Sequence, residues 1–141
     1  MKIDIEKYRS KGLKLTPQRI AIIEYLDGNL AHPTAEDIFK AIKKRYPTIS
    51  FATVYNTIEA LKERGILKEV KIESWRRHFE NNVSPHSHII CSGCGKIRDV
   101  STEFSCAERL GDEVKREFEV AFEEVSFFGV CRDCSSKKAS N

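Results

Sequence analysis

Two Cys-x-x-Cys pairs constrain this chain more than any other feature: Cys91-Ser-Gly-Cys94 and Cys131-Arg-Asp-Cys134, with residues 95–130 between them. Each pair lets two sulfurs leave one tight turn toward the same ion, and Gly95 suits a knuckle that turns sharply. Four thiolates satisfy tetrahedral zinc and leave no open position, which makes such a site structural. The expected role is to clasp the beginning and end of one small domain. Thioredoxin-like redox pairs and unliganded thiols are the alternatives, and in a reducing compartment paired cysteines favour metal. Cys106, the fifth cysteine, has no such partner and is expected to lie buried in a helix.

A clasp of that kind suits a small domain, and the 141 residues allow two domains of ~70 residues each. A domain that small often needs a metal or a partner subunit for stability. Charge divides the chain in the same way. Residues 1–79 hold 16 Lys and Arg against 10 Asp and Glu, and residues 80–141 hold 8 against 11. A basic first half is what nucleic-acid binding needs, although ordinary proteins carry such a balance too. No run approaches the ~18 apolar residues of a membrane helix. Met1 to Gly12 is charged without an apolar core, so no signal peptide and a cytoplasmic location are expected.

The first half reads as helices followed by a ribbon. A short charged helix is expected over Ile3 to Lys11. Thr16-Pro17 starts a second, with Thr as cap and Pro at the first helical position, and with Ile20, Ile23, Tyr25 and Leu26 on its face. Thr34 caps a third, whose stripe is Ile38, Phe39 and Ile42, and Glu36 and Asp37 suit its positive end. Ser50 caps a fourth, which Gly65 ends. Ile66 to Ile72 and Arg76 to Glu80 then alternate as two strands around a turn at Glu73-Ser74. This is the element order of a winged helix-turn-helix. The candidate recognition helix is Phe51 to Arg64, with an apolar stripe of Phe51, Val54, Ile58 and Leu61. Thr53, Asn56 and Thr57 fall off that stripe near the end that such helices present to base edges, and Tyr55 borders it. Any amphipathic surface helix would share this pattern.

Asn81 to Pro85 is polar and reads as a hinge. Beyond it, strands are expected at His86 to Cys91 and Lys96 to Val100, a helix from Cys106 to Glu119, a strand from Val120 to Phe128, and a frayed tail from Ser135. The apolar content is high for so few residues, which suggests that a partner subunit covers part of it. His86-Ser-His88 places two imidazoles on one face of a strand, where both can meet one ion. Asp99 on the next strand could join them. Glu80 stands just before the hinge, and His32 lies far off in the helical half. Imidazole and carboxylate donors suit iron, manganese or zinc. A solvated strand face is the alternative, and His78 reads as a plain ribbon side chain.

Taken jointly, Leu15-Thr-Pro-Gln-Arg19, Ala31-His-Pro-Thr34, Ser50-Phe-Ala-Thr-Val-Tyr-Asn56, His86-Ser-His88 with Cys91-Ser-Gly-Cys94-Gly95, and Gly129-Val-Cys-Arg-Asp-Cys134 resemble the ferric uptake regulator family over nearly the whole chain. The resemblance implies an α+β protein: a winged helix-turn-helix over residues 1–79, a hinge over 80–85, and a small α/β dimerisation domain with a four-cysteine zinc site over 86–141. It implies a regulatory Fe(II) or Mn(II) held by His32, Glu80, His86, His88 and Asp99. It further implies a homodimer on A·T-rich, palindromic double-stranded DNA. Tyr55 falls on a DNA-contacting position, Asn56 stands where many iron-responsive members carry Arg, and Lys14 falls where the family reaches toward the minor groove. Arg19 joins Thr53, Tyr55, Asn56 and Thr57 as a further candidate contact.

The family's branches sense peroxide, iron, zinc, manganese or nickel. Glu80 is similar to the iron branch, whereas Asp99, the Tyr55-Asn56 pair and the four zinc cysteines are similar to the peroxide branch. The expected function is metal-dependent repression, peroxide- or iron-responsive in that order. A metal hydrolase is the rival from another class, but it needs an open coordination position and a general base. No enzymatic activity is expected.

Overall fold

In the computed structural model, residues 3–73 and 76–139 are described, and the chain divides into two compact units, Met1–Val83 and Ser84–Asn141. The division falls within the polar segment 80–85.

The first unit contains four helices and a two-stranded ribbon. The helices are α1 (Ile5–Ser10), α2 (Pro17–Leu26), α3 (Ala35–Lys43) and α4 (Phe51–Glu63), and the ribbon pairs β1 (Lys68–Glu73) with β2 (Arg76–Glu80). Side-chain oxygens cap each helix. Thr16 accepts from the Arg19 N–H, and Ser50 accepts from the Thr53 N–H. Thr34 and Asp37 form a reciprocal capping box, each side chain accepting from the other's backbone N–H. Thr34's backbone N–H holds Asp37's carboxyl below its ordinary range. Gly65, at φ +63°, ends α4 in the left-handed region that glycine enters without strain. One core fills the unit, centred on Ile22, Ile38, Val54, Ile58, Leu61 and Phe79, all fully buried or nearly so. On α2, Ile23 and Leu26 join the core as expected, together with Ala21 and Ile22, while Ile20 and Tyr25 are only half-buried. Phe51, expected to begin the α4 stripe, is 41% exposed. The turn expected at Glu73-Ser74 falls partly outside the described residues.

The ribbon is antiparallel, with Val70 opposite His78 and Glu69 opposite Phe79. Beyond β2, the Asn81 amide donates to the Asp27 carboxylate at 3.1 Å, which fastens this end of the unit to the end of α2.

The second unit is a three-stranded sheet with short helical segments. Its central strand β3 (Ser87–Cys91) pairs antiparallel with β4 (Ile97–Val100) and parallel with β5 (Ser126–Gly129). The helix expected over Cys106 to Glu119 is instead a 3-10 turn at Ala107–Arg109 followed by α5 (Asp112–Glu117). Leu110 and Gly111 are extended between them, which interrupts helical hydrogen bonding. Cys106 is exposed rather than buried. Its N–H and that of Ala107 donate to the Glu123 carboxylate, which pins the turn. The strand expected from Val120 pairs only from Ser126 onward, and the tail expected to fray forms α6 (Arg132–Ala139). Among the described residues no helix is long and apolar enough to cross a membrane.

Candidate metal centres and nucleic-acid interface

The thiol cluster lies at one end of the second unit's sheet. Cys91 closes β3, and the chain then turns back so that the Gly95 N–H donates to the Cys91 carbonyl at 2.8 Å. Gly95 has φ +73°, a conformation costly for other residues. The Ser92 N–H donates to the Gly129 carbonyl at 2.8 Å, tying the knuckle to the end of β5. Cys131 follows β5 directly, and Cys134 sits in the first turn of α6. The four sulfurs all lie within 4.8 Å of one another. Tetrahedral zinc with Zn–S of ~2.3 Å demands sulfurs about 3.8 Å apart. Cys94 Sγ and Cys131 Sγ are 3.8 Å apart.

The electrostatics also suit a cation. The Cys131 N–H donates to Cys91 Sγ at 3.2 Å and, with the Cys94 N–H, draws that thiol down to about 6. Cys134 is pushed up to about 12 because it shares its proton with the Cys131 and Cys94 sulfurs. A divalent ion relieves that competition by letting all four ionise. The cluster fits structural zinc, and its closed set of four donors sets it apart from two independent redox pairs. Gly93, which the sequence reading passed over, proves constrained here. A Cβ on it would meet Cys134 Sγ at 3.1 Å.

Each unit also carries an imidazole–carboxylate cluster. In the first, His32 Nε2 lies 3.0 Å from Glu80 Oε2, and both side chains are buried. His32 stands in the loop between α2 and α3, where the Asn29 side chain donates to the Tyr25 carbonyl and accepts from the Ala31 N–H. Its φ of +50° makes it the one non-glycine residue with positive φ among those described. Such a backbone is uncommon outside glycine and persists where neighbours enforce it.

In the second unit, His88 on β3 is the cross-strand partner of Asp99 on β4. Asp99 Oδ1 lies 3.4 Å from His86 Nε2 and 3.5 Å from His88 Nε2. The two rings tilt at 56° with centroids 4.4 Å apart. His86 Nδ1 donates to the Ser84 carbonyl at 2.8 Å, which leaves Nε2 as the atom facing Asp99. Two imidazoles and a carboxylate that share one point form a donor set suited to iron, manganese or zinc.

Of the candidate DNA contacts, Lys14, Tyr55 and Asn56 are exposed. Thr53 is half-buried and shares a 2.8 Å hydroxyl contact with the capping Ser50. Arg19 is half-buried and donates to the Lys14 carbonyl. Thr57 is corrected: it is fully buried, and its hydroxyl donates to the Thr53 carbonyl at 2.8 Å. It lies beside Val54 and Ile58 on the inward side of α4, so it belongs to the core and not to a base-reading face.

Arg77, on β2, was not singled out from the sequence. It donates to the Tyr55 phenol, to Glu59 and to Glu69, while Lys62 bridges the same two carboxylates. The network joins α4 to the ribbon. Arg77 and Glu69 sit diagonally across the ribbon, a neighbour relation legible only once the register is known.

A winged helix joined to an α/β unit with a closed thiolate centre defines a metal-binding, DNA-binding class of protein. The model of the ferric uptake regulator family matches residues 10–127. Over 139 residues the chain is 39% identical to the peroxide operon regulator of Bacillus subtilis (strain 168), covering 98% of this chain and 95% of that protein. It is 38% identical over 134 residues to the peroxide-responsive repressor PerR of Staphylococcus aureus (strain Mu50 / ATCC 700699), covering 94% and 90%. Among solved structures, the Vibrio cholerae ferric uptake regulator superposes with a TM-score of 0.75 at 25% identity, covering 92% of this chain and 100% of that one. The Campylobacter jejuni peroxide stress regulator superposes at 0.66 with 26% identity, covering 94% and 100%. This chain belongs to the ferric uptake regulator family.

Proposed function

We propose that this chain is a cytoplasmic, peroxide-responsive, metal-dependent repressor that binds A·T-rich palindromic DNA as a homodimer. The observation that carries this reading is the pair of donor clusters: His32 with Glu80 in the winged-helix unit, and His86, His88 and Asp99 in the other. One regulatory Fe(II) or Mn(II) would take ligands from both. The winged-helix domain then spans residues 1–79, the hinge 80–85, and the dimerisation and metal-binding domain 86–141. The peroxide assignment draws on the relatives at 38–39% identity, which are named as peroxide regulators.

Lys14, Arg19, Thr53, Tyr55 and Asn56 form the DNA-facing set in this reading. The homodimer is supported by apolar side chains that the single chain leaves exposed in the second unit, among them Phe104, Phe118, Phe122 and Phe128. Burying such a face against a second copy removes it from water. No catalytic turnover is proposed, because the four thiolates fill the zinc site and a peroxide reaction at the second metal would consume one of its own histidine donors.

The mechanism is linkage. His32 and Glu80 on one side and His86, His88 and Asp99 on the other are drawn to one charge, which favours one setting of the hinge. If that setting spaces two winged helices for a palindrome, metal and DNA strengthen each other's binding, typically by ~1–3 kcal/mol. A ferrous ion, when bound, supplies reactivity toward peroxide. Peroxide would then give one oxygen atom to the His32 or His86 ring and leave as water, and the loss of that donor would free the DNA. An iron-responsive repressor is the second reading, favoured by the longer carboxylate at Glu80; zinc, manganese and nickel remain further signals within the family. The test is operator binding with Fe(II), Mn(II) or Zn(II) in turn, with and without peroxide. Release only in the Fe(II) sample after peroxide supports the first reading, and retention there overturns it.

A further inference from the structure

Residues 78–80 of β2 engage the loop that carries His32 at successive positions. His78 Nδ1 lies 2.7 Å from the His32 carbonyl oxygen. A carbonyl has no proton to give, so His78 is the donor and carries its proton on Nδ1. One residue on, the Phe79 N–H donates to the Pro33 carbonyl at 2.9 Å, and Thr34 and His78 form an isolated antiparallel bridge. Two residues on, Glu80 Oε2 meets His32 Nε2 at 3.0 Å. His78 and Glu80 share one face of the strand, because alternate residues do. Together they grip His32 at both ends, by its carbonyl and by its ring.

The grip matters because His32 holds φ at +50° and precedes a proline, which disfavours helical backbone in the residue before it. Such a conformation persists where its neighbours enforce it. The His32 carbonyl lies in the peptide plane that follows His32, and the His78 side chain donates to it. We propose that His78 is a positioning residue for the regulatory metal: through the His32 carbonyl, it holds His32 in the left-handed conformation that aims Nε2 toward Glu80. The inference rests on His32 and Glu80 being ligands of that metal. It also builds this half of the metal site directly onto a strand of the wing.

The experiment uses the full-length, zinc-loaded protein and Mn(II) as the probe, with free Mn(II) read by electron paramagnetic resonance. The variants are His78→Ala, His78→Asn, His78→Gln and His32→Ala, each checked for zinc content and melting temperature. Loss of an outer hydrogen-bond partner typically weakens a metal site about 10–100-fold. His78→Ala should fall in that range with its zinc intact. The Asn side-chain N–H reaches close to the position of Nδ1, so His78→Asn should recover most of the affinity. The Gln amide lies further out and should not. A merely structural role would shift melting temperature without separating Asn from Gln. Wild-type Mn(II) affinity in His78→Ala alongside loss in His32→Ala overturns the positioning role. Should His78→Ala fail to fold, equal affinities in the Asn and Gln variants overturn it as well. Wild-type affinity in His32→Ala would instead overturn the ligand assignment, and the inference with it.

Discussion

Arg77 donates to the Tyr55 phenol oxygen at 3.1 Å and lies 6.0 Å from the centre of the same ring. The side chain proposed to read DNA is therefore held by the wing as well as by its own helix. Arg77 is in turn fixed by Glu69 at 2.6 Å and Glu59 at 3.2 Å. Tyr55→Ala should relax or abolish operator preference while leaving Mn(II) binding unchanged. Arg77→Ala should lower the ratio of operator to scrambled-DNA affinity about tenfold, within the range of one lost base contact. In a Tyr55→Phe background, Arg77→Ala should add little to that loss. Additive losses with a shallower salt dependence would mean that Arg77 contacts phosphate itself. Fluorescence anisotropy at two salt concentrations separates these outcomes.

The same network makes the first unit sensitive to acid. Hydrogen bonds from Arg77, then from Lys62, hold the Glu69 carboxyl down at about 2 against an ordinary 4.5. A depressed carboxylate contributes stability that is complete above its unfolded value and lost as pH falls toward its folded one. The window here runs from about 4.5 down to about 2. Its size is about 1 kcal/mol once solvent screening of the half-exposed partners is allowed for. Glu69→Gln should melt lower at neutral pH and show a flatter loss of stability across that window. Parallel wild-type and variant curves between these pH values would count against the network.

Much of this was legible in the sequence because local chemistry governs it. Thr16, Thr34 and Ser50 cap their helices through bonds to residues three positions on, a relation the chain carries within itself. The CxxC pairs likewise announce their convergence by spacing. What failed was decided by tertiary context. Thr57 reads as a polar residue off the stripe, yet packing turns it inward, where its hydroxyl finds the Thr53 carbonyl. The helix read through Cys106 to Glu119 breaks at Leu110-Gly111, and Glu123, distant in sequence, pins its first turn. His78 reads as a plain ribbon side chain and Arg77 carries no signal at all, because both act across β-pairings whose register no local pattern specifies.

The thiolate site gives the most direct test. Cys131→Ser removes one of four donors and the residue whose N–H steadies Cys91 Sγ keeps only its backbone role. The purified wild type should hold about one tightly bound zinc per chain, whereas Cys131→Ser should lose it and dimerise more weakly. Gly93→Ala should lower zinc affinity more mildly, since its Cβ would press on Cys134 Sγ at 3.1 Å and Cβ at 3.2 Å. Metal analysis and sedimentation equilibrium check both. Full zinc content and an intact dimer in Cys131→Ser would refute the four-thiolate assignment.

The switch itself turns on which donors belong to which unit. His32 and Glu80 are the candidate ligands of the winged-helix unit, and His86, His88 and Asp99 those of the other. Removing one imidazole should cut the link without unfolding either part. His32→Ala should keep its zinc and its dimer but bind operator weakly even with added Mn(II) or Fe(II), and His86→Ala should behave alike. Asp99→Glu tests the signal. Its longer carboxylate would crowd the position between His86 and His88, where Asp99 Oδ1 now sits 3.4 and 3.5 Å from the two ring nitrogens. Peroxide sensitivity should fall while metal-dependent DNA binding survives. The measurement is a mobility-shift titration with Fe(II) before and after micromolar peroxide, beside mass spectra of the peptides containing His32 and His86. Wild-type protein that keeps its DNA, with no oxygen added to either histidine, would rule out peroxide and leave a metal as the signal.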